Sequence, residues 1–378
     1  MIRREEICFR GPIMKRRVIY ISILRFLLFF QAGCSIVTVD TGSLKDTPDV
    51  YLINPDDGPY SIEVIQRKDG SRDYWWEIES RVEQADTCRV KYHSLYSTNR
   101  FMVVQGKVGN TGNRYPVVLD TGSSQAVFVK DTHVLNNDLP IYPMETNKLD
   151  LNGYQLGLCH LPKLQIGNAL LIDQPCFYLE RNVKLGLFGL AIVKDNFKDD
   201  SIIVGLPALQ QFKYIMFDSV KKEVEFSHSK LFRAEKLQLW EQHSFIIEED
   251  FHGNAFLFVR IPISGKQIEL KLDTGSGRGL AISEDLWQGI RGEIHDVKLR
   301  KQRDIYPYIG SLACERGVIP KLRVGNRMVK NAKVSIFPNE SKLLEQNEGL
   351  IGMQLFRDTV MVLDFERNIM WVKNQEAK

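Results

Sequence analysis

Two short apolar stretches of this chain end alike. Pro116-Val117-Val118-Leu119 is a continuous hydrophobic run of the kind that forms a buried strand, and Asp120-Thr121-Gly122-Ser123-Ser124 closes it with turn residues. The pattern recurs 153 residues later as Glu269-Leu270-Lys271-Leu272-Asp273-Thr274-Gly275-Ser276-Gly277. Each copy is preceded by a second strand-like run and a turn. Phe101 to Val108 leads through a Gly/Asn turn into the strand ending at Asp120, and Ala255 to Ile261 leads through Ser264-Gly265 into the strand ending at Asp273. Both read as hairpins that deliver an aspartate at the mouth of a core strand, where solvation is poor and a carboxyl pKa can move.

The duplication continues downstream. Leu161-Pro162-Lys163-Leu164-Gln165-Ile166-Gly167-Asn168 is echoed by Ile319-Pro320-Lys321-Leu322-Arg323-Val324-Gly325-Asn326. Ile203-Val204-Gly205-Leu206 through Phe217-Asp218 is echoed by Leu350-Ile351-Gly352-Met353 through Leu363-Asp364. Four features in one order at near-equal spacing predict two homologous lobes, residues 100–240 and 241–378.

Over about residues 100–376, the paired Asp-Thr-Gly turns and their hydrophobic-hydrophobic-Gly partners resemble the aspartic proteases of the pepsin and retropepsin group, in a bilobal single-chain form. The resemblance implies an all-β fold: two acid-protease-like β-barrel lobes related by a pseudo-two-fold axis, with a few short helices. It implies Asp120 and Asp273 as the catalytic pair and Thr121 and Thr274 as hydrogen-bonding across the lobe interface. An extended polypeptide would lie in the cleft. Tyr154, within the polar stretch 144–157, and Tyr306, at the comparable place in the second lobe, are candidate flap residues.

The residue chemistry fits that role. Two carboxylates a few ångströms apart cannot both ionise easily, so they share a proton and titrate as a pair. One then takes a proton from water while the other polarises the scissile carbonyl, and no cofactor or metal is required. Gly122 and Gly275 permit the tight turns. Ser123 and Ser276 are expected to donate to the carboxylates, favouring ionisation and an acid-leaning optimum. Asp218 and Asp364 follow the Gly elements on strands and read as structural. Ser283 opens a helix as its N-cap, with Glu284 and Asp285 in the first turn. The rival function is a catalytically silent peptide-binding or scaffold lipoprotein.

Charge adds little until the leader is set apart. The net charge of +3 points to neither nucleic acid nor acidic polymers, and seven basic and two acidic residues fall in the first 33 positions. The remainder carries 43 basic and 45 acidic residues, close to neutral. Met14-Lys15-Arg16-Arg17 followed by the apolar run Val18 to Phe30 reads as a signal peptide. It ends in Gln31-Ala32-Gly33-Cys34-Ser35, which resembles a bacterial lipobox except for Gln31. Residues 1–34 are therefore expected to direct export, to the periplasm or to a membrane anchored through lipidated Cys34.

Residues 35–99 lie outside the repeat and read as a spacer or small β-rich extension, with an inhibitory prosegment as the sharper reading. A third Asp-Thr-Gly at Asp40-Thr41-Gly42 has no hairpin before it and reads as chance. Of the six cysteines, Cys88, Cys159, Cys176 and Cys314 remain once Cys8 and Cys34 go to the leader, and Cys159 with Cys176 is the most local pairing. There is no C-x-x-C, H-E-x-x-H or Gly-x-Ser-x-Gly, which speaks against a zinc site or a serine nucleophile. Internal duplication removes any need to dimerise, so a monomer is expected.

Overall fold

A computed structural model describes residues 35–40, 60–66, 72–78, 80–83, 87–94, 101–109, 111–141, 149–151, 154–179, 181–187, 190–194, 201–249, 254–306, 310–344 and 349–373. The leader, with the candidate lipidation residue Cys34, lies outside them. The described chain is mostly β-strand, with a few short helices.

Two rings of strands carry the repeat. In the first, Val103–Val108 pairs with Asn113–Asp120, which pairs with Ile202–Gly205, then Val127–Lys130, Ala169–Leu179 and Tyr154–Ile166, and the last returns to Val103–Val108 to close a six-stranded barrel. The second follows the same order: Ala255–Ile263, Lys266–Asp273, Gly349–Gly352, Leu280–Ser283, Arg327–Phe337 and Gly310–Val324. It closes through the single pair Ile263↔Val324. In both rings the strand that ends in aspartate runs parallel to the strand that ends in glycine, so Asp120 faces Gly205 and Asp273 faces Gly352.

Alternation of side chains explains why these stretches settle as barrel walls. In Lys266–Asp273, Ile268, Leu270 and Leu272 are buried while Lys271 and Asp273 face the other way, partly exposed. In Asn113–Asp120, Val117, Val118 and Leu119 are all buried, so this strand is covered on both faces. A sheet made from both halves of the repeat joins them: Tyr214–Asp218 pairs antiparallel with Val360–Asp364, centred on Met216↔Val362. Trp240–Glu249 and Ile369–Lys373 extend it on one side, Glu223–Ser227 and Cys88–Lys91 on the other. Two short strands ahead of residue 100 thus enter the architecture, since Arg81–Glu83 also adds to the first ring by pairing with Ala169–Leu179.

The chain divides into two units. Residues 42–180 and 200–378 form one and contain both rings, while residues 1–41 group with 181–199. The described part of the latter is a three-stranded antiparallel sheet of Ser35–Asp40, Arg181–Leu187 and Leu190–Lys194, in which Asp40 of the third Asp-Thr-Gly pairs with Arg181.

Several local expectations have physical counterparts. Ser283 caps the helix Glu284–Arg291, its Oγ accepting from the Leu286 N–H at 3.1 Å. Asp218 accepts from the backbone N–H groups of Val220 (3.0 Å) and Lys221 (2.7 Å), and Asp364 accepts from the Arg367 N–H (3.2 Å) and Nε (2.6 Å). Both aspartates hold turns. Cys159 and Cys176 stand directly opposite one another on adjacent strands and, like Cys88 and Cys314, are buried free thiols. No helix among the described residues is long and apolar enough to cross a membrane.

Candidate active site

Each aspartate reaches the site because its turn folds back against a glycine strand. The Leu206 N–H donates to the Ser123 carbonyl (3.0 Å), and the Met353 N–H donates to the Ser276 carbonyl (2.9 Å). Any side chain on the glycine would block this. A Cβ on Gly205 would lie 2.8 Å from the Ser123 carbonyl oxygen, and one on Gly352 would lie 2.5 Å from the Arg278 carbonyl oxygen. The hydrophobic-hydrophobic-Gly elements are therefore the seats of the two turns.

The threonines lock the turns to each other. Thr121 and Thr274 have no solvent exposure. The Thr121 N–H donates to Thr274 Oγ1 at 3.0 Å, and the Thr274 N–H donates to Thr121 Oγ1 at 3.1 Å. Each hydroxyl then donates to the carbonyl ahead of the other's aspartate: Thr121 Oγ1 to Leu272 and Thr274 Oγ1 to Leu119, both 2.7 Å. These four reciprocal bonds satisfy buried polar groups that would otherwise cost free energy, and they fix both turns in one geometry.

That geometry brings the carboxylates together. The side chains of Asp120 and Asp273 lie against one another, since one point beside Gly122 is within 3.0 Å of an oxygen of each. Proximity also shows in the glycines, since a Cβ on Gly122 would lie 2.7 Å from the Asp273 carboxyl carbon and one on Gly275 would collide with the Asp120 carboxylate. Burial raises the pKa of both groups. Asp273 is pushed well above the ordinary carboxylate value, first by burial and then by the negative charge of Asp120. Asp120 is raised by burial as well, but the backbone N–H groups of Gly122 (2.8 Å) and Gly275 bond to it and oppose the shift.

This corrects the role expected for Ser123 and Ser276. The Ser123 hydroxyl donates to the Gln125 carbonyl at 3.3 Å, and Ser276 Oγ accepts from the Arg278 N–H at 3.3 Å. The donors to the carboxylates are main-chain N–H groups, Gly122 and Gly275 to Asp120 and Ser276 to Asp273. Backbone donors lower the two values less than burial raises them, so the net shift is upward.

The candidate flap residues both sit in hairpins. Tyr154 begins the strand Tyr154–Ile166 and pairs with Leu151, and Tyr306 ends the strand Arg300–Tyr306 and pairs with Gly310.

Sequence reasoning missed three supports. After the first turn, Ser124 Oγ bonds Asn254 Oδ1 at 3.2 Å, Gln125 Nε2 bonds the same oxygen, and the Ala255 N–H donates to the Ser124 carbonyl at 3.3 Å. After the second, Arg278 pairs with Asp304, a carboxylate only 1% exposed that also accepts from Ser335 Oγ (2.7 Å) and pairs with Arg316 (3.2 Å). Burial works against ionised Asp304, yet Ser335 and the two guanidinium groups hold its pKa below the ordinary value. The third support is Lys271, two residues before Asp273, with Nζ 4.4 Å from the centroid of the Phe256 ring. Of Asn254, Asp304 and Lys271, only Lys271 falls inside a motif, two residues before Asp273; the partners of Ser124 and Arg278 are 130 and 26 residues away.

Among the described residues, no group of three or more His, Cys, Asp or Glu side chains is placed to hold a metal ion. A separate cavity of about 780 Å³, lined by Arg89, Tyr214, Phe232, Trp240 and Lys373 among others, contains none of the predicted site residues.

No family model matches the chain, and neither does any curated protein. Among solved structures it is similar to basic 7S globulin from soybean, with a TM-score of 0.42 and 10% identity over 78% of this chain and 95% of that one. It is also similar to conglutin gamma, a basic 7S globulin from lupine seeds, with a TM-score of 0.42 and 10% identity over 79% of this chain and 96% of that one. These neighbours are seed globulins, not pepsin- or retropepsin-like proteases, and the family resemblance drawn from the motifs is corrected accordingly. At this level of similarity the neighbours carry no argument about activity.

Proposed function

We propose that this protein is an aspartic endopeptidase that hydrolyses peptide bonds with water activated by Asp120 and Asp273. The observation that carries the reading is the closely apposed pair of carboxyls at the ends of the two aspartate strands, locked by reciprocal threonine bonds. The two rings are proposed to be homologous lobes related by a pseudo-two-fold axis through this pair, which is supported by their common strand order. The substrate proposed is a polypeptide in extended conformation.

In this mechanism the pair works while it holds one proton. Asp120, with two backbone donors on its carboxylate, is the better place for the negative charge; Asp273, raised further, is the better place for the proton. Asp120 takes a proton from water as its oxygen bonds to the scissile carbonyl carbon, and Asp273 gives its proton to the carbonyl oxygen. Collapse of the resulting diol breaks the C–N bond, with the proton now on Asp120 passing to the departing amine and a diol proton returning to Asp273. The pair ends in its starting state.

The test is cleavage of an unfolded protein across pH 3–8 by the parent, Asp120→Asn and Asp273→Asn. Each substitution is expected to reduce cleavage at least about a thousandfold, within the range that general acid–base groups contribute. Cleavage that persists in either variant would sink the shared-proton mechanism. A parent that binds peptides without cutting them would make the protein a peptide-binding scaffold instead.

A further inference from the structure

The two aspartate strands differ at one position that bears on the site. Two residues before the aspartate, on the same strand face, the first strand has Val118 and the second has Lys271. Val118 is 1% exposed and apolar. Lys271 is partly exposed, with its ammonium over the Phe256 ring. Directly across the neighbouring strands it faces Phe258 and Leu350, which offer no charge. The charges that act on Lys271 are Asp273 on its own strand and Asp120 on the opposite turn, and Lys271 acts in return on both.

We infer that Lys271 is a third charged member of the site, a positioning residue that sets the pH window in which the two carboxyls carry a single negative charge. This deepens the proposed endopeptidase function and rests on it. In a desolvated site a lone negative charge is costly, and a neighbouring ammonium makes the working state of the cluster neutral overall. The sign follows from charge alone. An adjacent cation favours each loss of a proton from the pair, so both limbs of the pH profile lie at lower pH than the carboxyls would give by themselves. Burial drives the ammonium toward its neutral form, and attraction to the two carboxylates opposes this. The two carboxylates that Lys271 acts on thus favour its charged form in turn.

Two measurements test this on the full chain: the pH dependence of kcat/KM, and direct titration of the aspartate side-chain carboxyls by carbon NMR, which needs no activity. Lys271→Met keeps the length of the stem and removes the charge, Lys271→Gln provides a second neutral variant should the first fold poorly, and Lys271→Arg restores a cation. Both neutral variants are expected to move the two limbs and the carboxyl midpoints up by about one pH unit, with Lys271→Arg staying near the parent. Midpoints in the neutral variants that coincide with those of the parent would overturn the inference and leave the endopeptidase reading intact. Midpoints that move in a protein that cleaves nothing would uphold the electrostatic role and remove the endopeptidase reading alone.

Discussion

The two Asp-Thr-Gly turns share their threonine bonds and glycine seats and differ in their electrostatics. Around Asp120 the supports are neutral: Val118 on the strand, and Ser124 and Gln125 held by Asn254. Around Asp273 they are charged: Lys271 on the strand, and Arg278 anchored by buried Asp304. Threonine bonds, glycine seats and aspartate placement occur in both. The shared part fixes where the carboxyls sit, whereas the part that differs bears on how they titrate. A duplicated site can therefore keep geometric symmetry while its two acids become unequal.

The strongest way to break the comparison is to cut the shared part. Thr121→Val and Thr274→Val each remove a hydroxyl that donates one buried bond and accepts another, leaving the opposite N–H without its partner. Each is expected to cost about 2–3 kcal/mol, read by denaturant unfolding, and to lower cleavage by a similar factor in both variants. A difference of more than about 1 kcal/mol between them would show that the lock is not reciprocal in energy.

Cutting the charged support should affect only the second turn. Asp304→Asn leaves Arg278 and Arg316 facing an uncharged amide. Both guanidinium groups are about a third exposed, at 33% and 38%, so water offsets part of the loss. The expected cost is about 2 kcal/mol, below the range for a fully buried pair. Because the folded pKa of Asp304 is depressed, its contribution is present above the unfolded carboxylate pKa and is lost as pH falls through the folded value. The parent and Asp304→Asn should therefore converge in stability at strongly acid pH. A gap that stays constant there would mean that the carboxylate charge is not the source.

The smallest effect separates the two acids. Both have folded pKa values above their unfolded ones, so the stability they contribute is full below the unfolded pKa and is lost as pH rises through the folded values. Replacing either by Asn removes that loss and should raise Tm at pH 7 by a few degrees, more for Asp273→Asn because Asp273 is raised further. Equal gains, or a larger gain for Asp120→Asn, would reverse the assignment of the shared proton.

Much of this was legible along the chain because it is repeated. Two aspartates, each on an apolar run and each followed downstream by a hydrophobic-hydrophobic-Gly element, identify themselves by spacing, and a glycine that must admit a returning turn cannot be anything else. Ser123 and Ser276 depart from the expected role because a hydroxyl three residues along a turn from a carboxylate can rotate either way, and here one donates to Gln125 and the other accepts from Arg278. Asp304 and Asn254 gave no signal, since neither falls in a motif.

The sequence by itself determined the strands that lead into the two aspartates, the two turns and the identity of the paired acids, since local alternation and duplication are properties of the chain. Closure of the rings, the reciprocal threonine bonds and the unequal surroundings of the two carboxyls were decided only in the tertiary structure. They depend on residues as far apart as Thr121 and Thr274 being brought into contact, and the desolvation that shifts the two carboxyls is likewise a property of the assembled fold.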